Sequence, residues 1–131
     1  MAAAVHHIEL WTNDLGQVEA GWQWLLTSLG WRDGDDEWES GRTWHHPDGT
    51  YIVLEQSSAV VAISHDRMRP GLNHLAINSP SQALLDALRD QALEHGWREL
   101  FGDRYPNAGG PEHTALFLEN PQGFEVEIVS P

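Results

Sequence analysis

The chain of 131 residues carries twenty acidic side chains against seven arginines and no lysine, a formal net charge of −13 at pH 7. Such a surface repels nucleic acids and anionic membranes, which excludes both as partners. The length suits one domain with a real core, and the absence of cysteine removes disulfides, thiolate metal sites and a cysteine nucleophile. No apolar run approaches membrane-spanning length, and the start lacks the features of a signal peptide, which predicts a cytoplasmic protein.

The first half of the chain has the pattern of a strand, a helix and three further strands. Strict alternation predicts a strand over residues 5–12, and apolar residues at helical spacing predict a helix over 14–29 that is capped by Asn13 or Asp14. Residues 31–44 predict two short strands around an acidic turn near Gly34-Asp35-Asp36. The turn His46-Pro47-Asp48-Gly49 then precedes a strand over 50–56.

The second half repeats this order. Residues 71–78 predict a strand, and Ser79-Pro80-Ser81 starts a helix whose apolar stripe includes Leu93. Asn120-Pro121-Gln122-Gly123 repeats the earlier turn and introduces a last strand over 123–129. The repeat predicts one domain over 1–131, built from modules at about 1–57 and 70–131 with a joining loop at 58–69.

Each sheet must bury an alternating apolar face under its helix. The opposite face is polar, and its concave, partly wet character is what a binding site needs. By strand parity that face holds His7, Glu9, Trp11, Tyr51, Val53, Glu55, His74, Ala76, Asn78, Glu125 and Glu127.

The doubled pattern resembles the vicinal oxygen chelate superfamily, which includes glyoxalase I, extradiol dioxygenases and bleomycin resistance proteins. The residues that carry the resemblance are His7 in Val5-His6-His7-Ile8-Glu9-Leu10, His74 in Asn73-His74-Leu75-Ala76-Ile77, and the run from Asn120 to Glu127. The resemblance implies an α+β fold in which two βαβββ modules form a cupped, eight-stranded mixed sheet. It also implies that His7, His74 and Glu127 bind a divalent metal ion: iron(II), manganese, nickel or zinc.

One position departs from the family pattern. Val53 stands where the first module would place its own glutamate, and Glu55 follows two residues later on the same face. Glu55 is either a fourth ligand, if the register slips by two, or a residue that lines the cavity. The resemblance to glyoxalases implies that Glu55 or Glu127 acts as a base. His113 begins another strand, and we interpret it as a general acid or base or as a solvated strand end.

Other side chains on the polar face are candidate substrate contacts. An aromatic ring can stack on a ligand, and a guanidinium in the joining loop can pair with an anionic group. These candidates are Trp11, Tyr51, Asn78, Phe117, Glu125 and Arg67.

Two function hypotheses follow from different classes. The first is a metal-dependent lyase, isomerase or dioxygenase that acts on a small oxygen-chelating substrate. The second is a metal-free protein that sequesters an antibiotic, as bleomycin resistance proteins do. The matched histidines and glutamate favour the first. A homodimer is expected, because an open sheet of this size leaves edges and apolar surface to cover.

Overall fold

The computed structural model describes residues 2–35 and 38–131, and the chain divides into two compact units, Met1–Ser64 and His65–Pro131. Part of the predicted acidic turn, Asp36, lies outside the described residues. The first unit contains β1 (His7–Trp11), α1 (Leu15–Ser28), β2 (Arg32–Asp33), β3 (Gly41–His45) and β4 (Tyr51–Glu55). Its strands form a four-stranded mixed sheet in the order β1-β4-β3-β2, in which β1 and β4 are parallel.

The second unit has the same plan. It contains β5 (His74–Asn78), α2 (Gln82–Gln91), β6 (Arg98–Leu100), β7 (Thr114–Glu119) and β8 (Glu125–Ser130), with 3-10 helices at Ala92–His95 and Gly102–Arg104. The sheet order is β5-β8-β7-β6, and β5 and β8 are parallel. The predicted α+β class with two βαβββ modules is therefore confirmed, with the eight strands in two four-stranded sheets.

Side-chain caps begin both helices where the sequence predicts them. The Asp14 carboxylate accepts a hydrogen bond from the Gln17 amide, and the Ser81 hydroxyl accepts one from the Leu84 amide, both at 3.2 Å. These bonds satisfy amides that have no partner within a helix. Neither helix in the described ranges is long and apolar enough to cross a membrane.

The end of the second helix differs from the prediction. After Gln91 the chain tightens into the 3-10 helix, and Leu93 is 79% exposed rather than part of the apolar stripe. A 3-10 helix has three residues per turn instead of 3.6, so side chains beyond the change rotate away from the face that an α-helix would bury.

Strand parity separates the core from the candidate site. In β8, Val126 and Ile128 are fully buried among the apolar side chains, whereas Glu125 and Glu127 point to the other face. The parallel pairing of β5 with β8 places His74 opposite Glu125 and Ala76 opposite Glu127. A histidine and two carboxylates are thereby held on rigid neighbouring strands.

Candidate functional site

Two histidines contact one glutamate in the second unit. His74 Nε2 lies 3.0 Å from Glu127 Oε1, and His113 Nε2 contacts the other oxygen, Oε2. The Glu127 side chain is 9% exposed, while the two imidazoles are 35% and 42% exposed. The carboxylate is thus mostly buried, while the two imidazoles that contact it are partly open to solvent.

The connection between β6 and β7 places His113 at this cluster. The Asn107 side-chain amide donates to the His113 carbonyl at 3.1 Å, and the Ala115 amide donates to the Pro106 carbonyl at 2.9 Å. Gly109 packs against the imidazole so closely that a Cβ atom there would lie 2.6 Å from His113 Cδ2. The absence of a side chain at Gly109 therefore allows His113 to reach Glu127.

An aromatic wall borders the cluster. Phe117 is buried, and its ring meets the His74 ring edge-on with centroids 6.3 Å apart. The Phe101 ring also meets Phe117, with ring centroids 5.5 Å apart. Such a wall lowers the water content around a charge and strengthens its interactions.

Arg67 and Glu125, both predicted substrate contacts, are paired with each other. Arg67 Nη1 donates to Glu125 Oε1 at 2.9 Å, and Arg67 Nε donates to Glu119 Oε2 at 3.1 Å. Arg98 also contacts Glu119. Burial acts to raise the pKa of Glu119, but the hydrogen bonds from Arg98 and Arg67 outweigh it and lower that pKa. Any substrate anion must therefore compete with two carboxylates for Arg67.

The first unit holds His7 in an aromatic row that crosses its sheet. The His7 ring stacks on Tyr51 at 4.8 Å with an interplanar angle of 7°, and His45 stacks on Tyr51 at 5.1 Å. His7 Nδ1 also lies 2.9 Å from His6 Nδ1. The sequence prediction missed His45, although its place opposite Tyr51 follows from the tight turn between β3 and β4.

The register of the first sheet bears on Glu55. Val53 pairs with Glu9, two residues after His7, just as Glu127 pairs with Ala76, two residues after His74. The pairing therefore makes Val53 the equivalent of Glu127, without a slip of two. Glu55 lies farther along β4, opposite Trp11.

The remaining candidates lie at strand ends. Trp11 is 45% exposed, and its indole Nε1 donates to Glu9 Oε2 at 2.6 Å. Asn78 is exposed at the end of β5, opposite Val129. Both side chains are accessible to a ligand.

A divalent metal fits the donor chemistry of the second unit in part. Two ligands that are each about 2.1 Å from an octahedrally coordinated ion, and therefore at right angles, lie about 3.0 Å apart. His74 Nε2 and Glu127 Oε1 have this separation, which is also that of an ordinary hydrogen bond. Within residues 2–35 and 38–131, however, no three His, Asp or Glu side chains form a preformed metal site. His113 contacts Glu127 directly instead of converging on a shared point. The pair suits a metal ion, whereas the third protein ligand is an assignment by resemblance.

Comparison with known proteins identifies the family of this chain. A family model described as the glyoxalase/bleomycin resistance protein/dioxygenase superfamily matches residues 6–117. The chain therefore belongs to this superfamily, as the sequence resemblance indicated.

Particular relatives cover nearly the whole chain. The uncharacterized protein YqjT of Bacillus subtilis (strain 168) is 35% identical over 127 residues, which are 97% of this chain and 98% of YqjT. The crystal structure of a candidate glyoxalase from Bacillus halodurans has a TM-score of 0.90 at 38% identity and covers 98% of this chain and 96% of that one. A fosfomycin resistance protein from Listeria monocytogenes, solved with manganese(II) and 1S,2S-dihydroxypropylphosphonic acid, has a TM-score of 0.64 at 15% identity and covers 98% and 90% of the two chains. At that identity the last likeness concerns the fold alone.

Proposed function

We propose that this protein is a divalent-metal-dependent enzyme of the glyoxalase type that acts on a small substrate with two neighbouring oxygen atoms. The observation that carries the proposal is the contact of His74 Nε2 with Glu127 Oε1 at 3.0 Å on a mostly buried carboxylate. Membership of a superfamily that includes glyoxalases and dioxygenases supports it. His74 and Glu127 are the proposed donors from the second unit, and the resemblance adds His7 of the first unit.

The candidate catalytic side chains have distinct roles in this proposal. A bound divalent ion supplies Lewis acidity and open positions for substrate oxygens. His113, held against Glu127 Oε2, accepts a proton from the substrate or returns one. Phe117 shields the reacting atoms from water. Glu55 is a second candidate base, at the end of β4.

Binding of the substrate involves side chains of the polar strand faces. Trp11 offers a half-exposed indole for stacking, and Tyr51 and Asn78 offer polar atoms. The Arg67–Glu125 pair contributes a rigid, charged border instead of a free cation. The reaction type, among lyase, isomerase and dioxygenase, depends on the substrate.

A second candidate function is metal-free sequestration of a cationic or aromatic antibiotic. The net charge of −13 and the exposed indole of Trp11 favour it. A pure binder has no need of an ion, so the two candidates differ in a measurable property.

Metal content separates them. Purified protein is incubated with iron(II), manganese, nickel or zinc, passed through a desalting column and assayed by inductively coupled plasma mass spectrometry. We expect about one ion per chain in the wild type and in His95→Gln, which alters a histidine away from the cluster. His74→Ala and Glu127→Gln should each lower affinity for that ion at least ~10-fold. No retained ion in the wild type would refute the enzyme proposal, and tight binding of a bleomycin-type drug would then favour sequestration.

We also propose a homodimer in the cytoplasm. Val61, Ile63 and Met68 in the joining segment are 100%, 82% and 78% exposed, which leaves apolar surface for a second copy to cover. Light scattering coupled to size-exclusion chromatography tests this, and a monomer mass at micromolar concentration would contradict it.

A further inference from the structure

We infer that Tyr105 is a positioning residue of the candidate site: it fastens the connection between β6 and β7, residues 101–113, to the exposed face of α2, and so holds His113 against Glu127. The inference deepens the proposed function and rests on it for its catalytic meaning, because His113 is the proposed acid or base. The fastening itself can be measured without metal or substrate.

Two side chains of α2 hold Tyr105. Asp86 and Arg89 lie three residues apart and are exposed, so they share the face of the helix that turns away from the core. The Tyr105 hydroxyl donates to Asp86 Oδ1 at 2.6 Å, and Arg89 Cζ lies 4.4 Å from the centre of the Tyr105 ring. Tyr105 is therefore attached to the helix by a charge-assisted hydrogen bond and by a cation–π contact.

Arg89 also holds the start of the connection. Its Nη2 donates to the Gly102 carbonyl at 3.2 Å, and its Nε donates to Glu99 Oε2 on β6 at 2.7 Å. Gly102 begins the 3-10 helix that ends at Arg104, directly before Tyr105. The first turn of the connection is therefore bound to the same side chain that lies over the Tyr105 ring.

The backbone at the start of the connection is strained. Phe101 has a φ of +59° and a ψ of +31°, a left-handed conformation that is rare for a bulky residue. Such a conformation persists only where the surroundings hold it in place. The Phe101 ring packs against Phe117, and Arg89 binds the carbonyl of the next residue, Gly102. Loss of the attachment to α2 would therefore release strain, which favours detachment of the connection.

The part of the connection after Tyr105 covers the strand face that carries Glu127. Ala108 packs against the buried cluster that contains Phe117, and Phe117 lies directly opposite Glu127 in the pairing of β7 with β8. The His113 ring then contacts the Glu127 carboxylate. The connection is thus attached to α2 at one point and meets the candidate site at another, so a displacement at Tyr105 would be transmitted to His113.

The Tyr105 hydroxyl remains a hydrogen-bond donor at neutral pH. Burial and the hydrogen bond to Asp86 raise the pKa of Tyr105 above its ordinary value of 10.0. Removal of the hydroxyl, rather than a change of pH, is therefore the perturbation that tests the fastening.

Amide hydrogen exchange of metal-free, full-length protein measures detachment of the connection. The Ala115 amide donates to the Pro106 carbonyl at 2.9 Å, so it becomes open to exchange whenever the connection detaches. We expect Tyr105→Phe and Asp86→Ala to raise the exchange rate of the Ala115 amide about 2- to 10-fold, the usual worth of one hydrogen bond. Asp86→Asn keeps an oxygen acceptor and should stay near the wild-type rate.

Ser81→Ala distinguishes positioning from a general loss of stability. It removes the cap at the start of the same helix, so it should accelerate exchange of the amides of β8, which lies between β5 and β7 and opens only when the unit unfolds. The Ala115 rate should stay unchanged in Ser81→Ala. The double variant of Tyr105→Phe with Asp86→Ala should exchange at Ala115 about as fast as Asp86→Ala alone, because both changes remove the same bond.

The position of His113 is followed in the same samples at one fixed pH. Relaxation dispersion at the ¹³Cε1 atom of its imidazole, assigned with His113→Gln, detects exchange between the ring at Glu127 and a displaced ring. The dispersion should rise in Tyr105→Phe and Asp86→Ala by about the same factor as the Ala115 rate. It should remain at the wild-type level in Ser81→Ala and Asp86→Asn.

The outcomes separate this inference from the proposed function. An unchanged Ala115 rate or an unchanged His113 dispersion in folded Tyr105→Phe would overturn the inference, even if the wild type binds metal. Equal acceleration of Ala115 and of the β8 amides in Ser81→Ala would also overturn it, because the connection would then detach only in global unfolding. The expected rates in a protein that retains no metal would support the inference while the enzyme proposal fails.

Discussion

Gly123 and Gly49 occupy the same place in the two repeated turns, yet their surroundings differ. Both have a left-handed backbone, with φ of +84° and +102°. A Cβ atom at Gly49 would meet nothing within 4 Å, whereas one at Gly123 would lie 2.2 Å from the His65 carbonyl oxygen. Alanine at either position therefore has the same backbone cost, and only Gly123→Ala adds a collision with main chain.

The expected losses in free energy of unfolding follow from the backbone strain and from the collision. An L-residue in the left-handed region costs about 1–2 kcal/mol, which is the whole expected loss for Gly49→Ala. Overpacking adds about 1–3 kcal/mol, so Gly123→Ala should lose about 2–5 kcal/mol. The collision would also push away His65, whose ring stacks on Phe124 at 4.8 Å.

Equilibrium urea unfolding, followed by tryptophan fluorescence and by circular dichroism, measures both free energies of unfolding. The two variants share chemistry and turn position, so their difference isolates the contact between Gly123 and the joining segment. Independent mutational effects add to within about 0.5 kcal/mol. Losses that are equal within that margin would show that the contact with His65 has no effect on stability.

Three more predictions concern the second unit. The folded-state pKa of Glu119 is lowered from 4.5, so its contribution to stability is present above that value and is lost as the pH falls through the folded-state pKa. Glu119→Gln should therefore flatten the acid limb of a plot of unfolding free energy against pH. An unchanged limb would contradict this. Gly109→Ala should displace the His113 imidazole and change its NMR signals while the protein stays folded, and unchanged signals would show that the ring does not need that space. Tyr105 donates to Asp86 Oδ1 at 2.6 Å, so Tyr105→Phe should lower stability by about 0.5–1.5 kcal/mol in thermal unfolding; an unaltered melting temperature would mean that the bond contributes nothing.

The fold was predictable because its signals are local and repeated. The alternation around Val126 and Ile128 and the caps at Asp14 and Ser81 each depend on a few neighbouring residues. The repeat then predicted the same order of strands and helix in both halves. Leu93 was misplaced because a tightening of one helical turn leaves no mark in an apolar pattern.

The candidate site was predictable only where strand register determines it. His74 and Glu127 share a face by parity, and their side chains lie in contact. That they bind an ion together stays a prediction. The partners of Arg67 depend on the path of a long loop, which no periodicity describes, and so its two carboxylate contacts were not foreseen.

The parallel pairing of β1 with β4 and of β5 with β8 has a consequence for biosynthesis. Among the strands that the structure describes, the first of each unit pairs with the fourth and with no other, so its backbone amides and carbonyls remain without a sheet partner while a helix and two strands are made. The first unit needs no residue after Glu55 to complete its ladder, so its sheet can form before the strands of the second unit are complete. His74 and Glu127 meet only when β8 has emerged. The candidate site is therefore assembled by the last strand of the second sheet, and chaperones that bind extended segments would find β5 exposed until then.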